Sequence, residues 1–202
     1  MTTVAIIPAR GKSQRIPRKN IKNFMGKPII NYSIEAAKES GLFDTVYVSS
    51  DSPEILNISE DHGAIPLLRH ESLSDNDTGT YAVTRAVAGH LKLKPEDIVC
   101  CIYATAPLMS VSDLQGGYIN LLQLDADHAI SIGYPPLQDA AQFYWSTVDA
   151  LQRGIEYFDT STVLIPIKPE RVCDINTQDD WDRAEQMYSA LKNNEMLNNR
   201  GV

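Results

Sequence analysis

Val4-Ala5-Ile6-Ile7-Pro8-Ala9-Arg10-Gly11-Lys12-Ser13-Gln14-Arg15-Ile16-Pro17-Arg18-Lys19-Asn20 is the stretch on which the reading of this chain turns. Val4 to Ile7 form an unbroken apolar run, the pattern of a short strand buried on both faces in a parallel sheet. The chain then becomes a loop carrying Arg10, Lys12, Arg15, Arg18 and Lys19, five positive charges in ten residues. The 202-residue chain has a net charge of −8, so a local cluster of this sign either holds an anion or covers a solvated surface. Its position favours the anion, because ligands of open α/β sheets lie just outside the carboxyl ends of parallel strands.

Two familiar phosphate loops are excluded. Gly11-Lys12-Ser13 imitates the end of a P-loop, but that motif requires a glycine where Ile6 stands within the strand, and Pro17 prevents a helix from following cleanly. The three spaced glycines of a dinucleotide-binding turn are missing as well. What remains is a long loop with one glycine, offering backbone N–H groups and guanidinium forks to a polyphosphate.

Outward from the loop, hydrophobic pattern and breakers alternate regularly. Pro28 opens a helix with Ile30, Ile34 and Ala37 on one face and Gly41 as its stop, and Thr45 to Ser49 reads as a strand. Ser52-Pro53 caps a helix running to His62-Gly63, and Ile65 to Leu68 is a further strand. This β-α-β-α-β order predicts a parallel sheet with right-handed crossovers and helices on both faces. Leu73 to Thr80 is a polar loop, read on its own as a cap by Asp77 or Thr78 for a helix ending near Leu91. Ile98 to Tyr103 is a strongly apolar strand, and Ser110 with Asp113 forms a capping box for a helix ending near Asp125. His128 to Ile132 is the next strand, Thr147 to Gln152 a short helix, and Val163 to Ile167 a late strand. Thr177 and Asp180 cap a helix from Gln178 to about Asn193, and the polar, asparagine-rich tail from Glu195 is expected to fray.

Composition bounds the partners. The length suits one sizeable α/β domain spanning residues 1–202, with no internal repeat and no linker. The acidic balance argues against a nucleic acid, which requires a broad basic face, but not against a nucleotide. No apolar run is long enough to span a bilayer and the amino terminus shows no signal region, so a cytoplasmic protein is expected. Cys100, Cys101 and Cys173 fit that compartment as packing residues, and His62, His70, His90 and His128 show no ligand or triad spacing.

The run Ile-Pro-Ala-Arg-Gly-x-Ser-x-Arg-Ile-Pro-x-Lys-Asn, from Ile7 to Asn20, resembles the signature loop of the sugar-acid cytidylyltransferases, which activate nonulosonic acids with CTP. Lys12 and Gln14 depart from the commonest form of that loop, which has glycine and lysine there. The resemblance extends from Val4 to about Ala184. Cys100-Cys101-Ile102-Tyr103-Ala104-Thr105-Ala106-Pro107 and Asp139-Ala140-Ala141-Gln142-Phe143-Tyr144-Trp145 resemble the pseudaminic acid branch, with Ala141 replacing a glycine.

The resemblance implies a Rossmann-like nucleotidyltransferase fold and transfer of CMP from CTP to a nine-carbon acid sugar, pseudaminic acid being favoured, giving pyrophosphate and a CMP-sugar for surface glycans. Ala9, Arg10, Gly11, Lys12, Ser13, Arg15, Asn20, Arg69, Thr78, Gly79 and Thr80 would hold the nucleotide. Tyr103, Ala104, Thr105, Gln142 and Tyr144 would line the sugar site. Mg2+ would be held by Asp174 and Asn176, with Asp51 as another assisting donor, and Arg10, Lys19 and Asp174 would be catalytic. In the Asp174-Ile175-Asn176-Thr177 run, alternation on an extended chain turns residues 174 and 176 to one side, with Asn176 replacing the family's second aspartate. The resemblance also implies a homodimer joined by an arm of several tens of residues after the strand at His128 to Ile132. Here Ile132 is followed almost at once by Tyr134-Pro135-Pro136-Leu137, so either the arm is deleted or the sequence joins across a mobile segment. Sialic or legionaminic acid as the sugar, or a CTP-binding protein without catalysis, are the alternatives left open.

Overall fold

The computed structural model describes residues 1–75, 77–159 and 161–200; Asn76, within the polar loop above, and the last two residues of the tail lie outside them. In chain order the elements are β1 (Thr3–Pro8), β2 (Asn23–Phe24), β3 (Lys27–Pro28), α1 (Ile29–Glu39), β4 (Thr45–Ser50), α2 (Pro53–Asp61) and β5 (Ile65–Leu68). They continue with α3 (Thr80–His90), β6 (Ile98–Ile102), α4 (Val111–Gln123), β7 (His128–Gly133), β8 (Gln138–Thr147), α5 (Val148–Arg153), β9 (Thr162–Ile167) and α6 (Gln178–Arg200).

Seven strands form one sheet in the order β5-β4-β1-β6-β8-β7-β9, and β8 alone runs antiparallel to its neighbours. The residues of β1 divide between its two faces. Ala5 and Ile7 pack with α1, α2 and α4 through Ile34, Ile55 and Leu114, while Val4 and Ile6 pack with α3 and α5 through Val83, Val87 and Val148. The continuous apolar run is therefore the signature of a strand covered on both sides. From β1 the chain builds outward through β4 to β5, then returns to place β6 on the other side of β1. That reversal opens a crevice at the carboxyl ends of β1 and β6, the switch point where open α/β sheets bind ligands.

The capping chemistry differs from the sequence expectation at two helices and agrees at two, where Ser110 and Thr177 accept from the Asp113 and Asp180 backbone N–H groups. Thr147, for which the sequence reading named no cap, accepts from Ala150 N–H at the start of α5. Ser52 makes no side-chain cap bond, because Pro53 at the first turn of α2 already removes one donor needing a partner. Neither Asp77 nor Thr78 caps α3; Asp75 Oδ1 instead accepts from both their N–H groups, folding the loop one turn earlier. The Thr78 hydroxyl first, and then these N–H bonds, hold the Asp75 carboxyl below its usual range. The tail does not fray at Glu195, for α6 continues to Arg200, with Lys192 paired to Glu195.

The β7–β8 connection is a closed hairpin. Gly133 pairs with Gln138 and Ile132 with Asp139, so residues 134–137 turn the chain in four positions where the resemblance implies an arm. A register shift follows, and the bulge it makes is stitched by side chains: Asp139 Oδ1 accepts from Ala141 N at 2.8 Å, and buried Ser131 Oγ from Phe143 N at 3.1 Å. Ala141 occupies the left-handed region at φ 50°. That geometry costs an L-residue ~1–2 kcal/mol, partly offset by the greater unfolded-chain entropy of glycine. Ala141→Gly is accordingly expected to stabilise the fold by up to about 1 kcal/mol, read as a higher urea midpoint; a lower midpoint would contradict it.

Candidate active site

The crevice is a cavity built from four segments. The loop after β1 supplies Arg10, Ser13, Gln14, Arg15, Lys19 and Asn20, the end of β5 supplies Arg69, the entry to α3 supplies Thr78, Gly79 and Thr80, and the loop after β6 supplies Tyr103, Ala104 and Thr105, with Asn176 closing one side. The loops after β1 and β6, made adjacent by the strand order, thus both line it.

The basic loop is held by its own polar atoms and by β4. Gly11 N donates to Asp51 Oδ1 at 2.7 Å, and a side chain at position 11 would put its Cβ 2.8 Å from the Ser52 Cβ, so this close approach requires glycine. Asn20 is buried and donates through Nδ2 to Arg10 O at 2.9 Å, clasping the two ends of the loop. Arg10 reaches Asp75 O at 3.2 Å across the cavity. Arg69 is buried, donating to Ser49 O at 2.6 Å and Leu73 O at 3.3 Å, while its Nε lacks a protein partner. Buried polar groups are normally paired, so the unmatched, buried Nε stands out in a residue whose side chain also lines the cavity.

Lys19 donates to Ile175 O at 2.6 Å. Burial pushes its ammonium below the usual lysine range, Asp174 opposes that shift, and Arg15 and Arg10 add to it. Arg15 donates to Asn176 Oδ1 at 2.8 Å, and Asn176 Nδ2 donates to the Asp174 carboxylate. Residues 174 and 176 do meet on one side, with Ile175 buried between them. The Asn176 amide is engaged at both ends, bridging a cation and a carboxylate.

Several residues named from the sequence lie away from this cavity. Lys12 occupies a neighbouring cleft with Asp51 and Glu71. Asp51 is turned to the Gly11 N–H, so it braces the loop. Ala9 is buried, its N–H donating to Ser49 O at 2.9 Å. Gln142 and Tyr144 are buried behind the wall: Gln142 Nε2 donates to Arg171 O at 2.5 Å, and the Tyr144 hydroxyl lies 3.2 Å from that of Tyr103. Sequence reasoning gave no role to Asp139, which accepts from the Tyr144 hydroxyl although it opens the Asp139 to Trp145 run quoted above, or to Ser131, which stitches the bulge and stands in no motif.

Among the described residues no group of three or more His, Cys, Asp or Glu side chains forms a metal cage. A hard cation shared with a triphosphate needs only one or two carboxylates, the phosphates and water supplying the rest. Asp174 fits that limited role; the Asn176 oxygen is engaged by Arg15, and its amide nitrogen is the side that faces Asp174.

A family model described as cytidylyltransferase matches residues 4–198. The chain belongs to the cytidylyltransferase family. It is 34% identical to the pseudaminic acid cytidylyltransferase of Campylobacter jejuni serotype O:2, over 93% of this chain and 97% of the relative. That alignment runs to 224 positions, more than this whole chain contains, so the relative carries residues absent here. The fold matches a solved CMP:2-keto-3-deoxy-manno-octonic acid synthetase complexed with CTP, at a TM-score of 0.75 and 14% identity, over 94% of this chain and 99% of that one. It also matches a Mycobacterium tuberculosis protein solved with manganese, at a TM-score of 0.66 and 10% identity, over 92% of this chain and 99% of that one. At these identities the two structures speak for the fold alone. It is a Rossmann-like nucleotidyltransferase fold, and this family member is a CTP-dependent enzyme. No described helix is long and apolar enough to cross a membrane.

Proposed function

We propose that this enzyme transfers CMP from CTP to pseudaminic acid and releases pyrophosphate. The observation that carries the reading is the convergence of Arg10, Arg15, Lys19 and Arg69 on one cavity that Tyr103, Ala104 and Thr105 also line. Four fixed cations suit a triphosphate, and the relative of 34% identity is named for this sugar.

Arg10, Arg15 and Lys19 take up the charge that grows on the departing pyrophosphate, Asn20 keeps Arg10 in place, and Arg69, which lines the same cavity, serves the base or ribose. Thr78, Gly79 and Thr80 flank the nucleoside. The sugar hydroxyl attacks the α-phosphorus in line, and positioning with electrostatic stabilisation supplies most of the rate. Asp174, with Asn176 beside it, would hold a divalent ion, magnesium in this reading, which neutralises phosphate charge when bound; the manganese complex of the structural neighbour is consistent with a divalent ion. A homodimer in the cytoplasm belongs to the same reading, and it would form without a long arm at residues 134–137.

The test is pyrophosphate release by the purified chain with CTP and magnesium against pseudaminic, sialic and legionaminic acids in parallel. Release with pseudaminic acid at the highest kcat/KM is the expected result. A preference for another acid would reassign the sugar. No release with any of them, from protein that still binds CTP, would favour a non-catalytic binding protein, the reading to which the amide at Asn176 lends weight.

A further inference from the structure

The transfer proposed above requires the attacking sugar hydroxyl to lose a proton, and the cavity wall leads to a group that can take it. Tyr103 lines the cavity. Its hydroxyl lies 3.2 Å from that of Tyr144, and Tyr144 donates to Asp139 Oδ2. The direction of each bond follows from the number of protons. A carboxylate only accepts, so the single phenolic proton of Tyr144 is committed to Asp139, and Tyr103 must be the donor to Tyr144. The Tyr103 oxygen is left with lone-pair capacity for a hydroxyl arriving from the cavity.

We propose that Asp139 is the terminal proton acceptor for the attacking sugar hydroxyl, reached through Tyr103 and Tyr144. The inference rests on the cytidylyl-transfer reading. As the sugar oxygen bonds to the α-phosphorus, its proton passes to the Tyr103 oxygen. The Tyr103 proton passes to Tyr144, and the Tyr144 proton to Asp139. The bond from the α-phosphorus to the bridging oxygen breaks, and its electron pair leaves with pyrophosphate. Both phenols end as they began, and Asp139 carries one proton.

Three features suit the arrangement to this task. Burial pushes Tyr103 up to about 12 and raises Tyr144 as well, so both phenols hold their protons between turnovers. Asp139 is exposed, so the proton it receives can leave to water. The β8 bulge fixes the geometry: Asp139 Oδ1 is held by the Ala141 N–H while Oδ2 faces Tyr144, and Ser131 satisfies the N–H groups that the register shift frees.

The experiment compares wild type, Asp139→Asn, Tyr144→Phe and the double variant, measuring pyrophosphate release with CTP, magnesium and the preferred acid sugar, and CTP affinity by calorimetry. A roughly 10²-fold fall in kcat is expected in each single variant, with KM and Kd for CTP unchanged. The double variant should be no slower than either single one, because both break the same chain of protons. Wild-type kcat in either single variant that binds CTP normally overturns the relay alone, and so do additive losses. If Asp139→Asn fails to fold, Tyr144→Phe decides by the same criterion. Wild type that releases no pyrophosphate with any acid sugar overturns the transfer reading and the relay with it.

Discussion

Replacing Lys19 with methionine is expected to lower kcat/KM for CTP by roughly 10²- to 10³-fold while leaving the fold intact. The ammonium is anchored by Ile175 O on the cavity wall, among Arg10, Arg15 and Asp174, where the proposed transfer would develop charge on the leaving pyrophosphate. The same burial gives a pH signature. The working form is protonated, and its folded-state value is depressed, so activity falls as pH rises through a value lower than that of an ordinary lysine. Lys19→Arg keeps its charge and should carry activity further into alkali. A methionine variant with wild-type kcat/KM would remove Lys19 from the phosphate grip, and an unchanged alkaline limb in Lys19→Arg would assign that limb to another group.

The largest effect on stability is expected at Gly117, where valine should cost about 3 kcal/mol by overpacking. A Cβ there would lie 2.7 Å from Phe143 Cε2 and 2.8 Å from Trp145 Cδ1. Neither ring can yield easily: both side chains are fully buried, Trp145 stacks on Phe43 with centroids 5.1 Å apart, and its indole N–H is tied to Leu114 O at 3.0 Å. Thermal unfolding should begin roughly 6–12 °C lower for a chain of this size. Gly116, one position earlier on the same helix, has nothing within 4 Å of an added Cβ. Gly116→Ala should therefore raise stability by about 0.5–1 kcal/mol through helix propensity. Equal effects at the two glycines would show that α4 does not depend on this contact.

The parts of the fold legible in the sequence are those fixed by local chemistry. The apolar runs of β1 and β6, the breakers Gly41 and Pro53, and the capping boxes at Ser110 and Thr177 each announce an element within a few residues. The basic loop was equally visible, because its five charges fall within ten residues and its anchor Asn20 is part of the same motif. What the sequence hid depends on pairing between distant segments. Tyr103 and Tyr144 are 41 residues apart and meet only because β8 inserts antiparallel beside β6. Asp139 becomes the partner of Tyr144 through a bulge, whose register shift no periodicity reveals. Lys12 carries the right charge in the right motif, yet the tight approach at Gly11 leaves it among Asp51 and Glu71 in the adjoining cleft.

The four-residue closure between Gly133 and Gln138 also makes this chain a convenient acceptor for engineering. The strand ends on either side are locked in register, so a foreign segment with adjacent termini could be spliced at residues 134–137 without re-threading the sheet. Chimaeras carrying the longer insert of a relative at that point would separate what the catalytic body does unaided from what a grafted module adds in affinity, sugar preference or assembly.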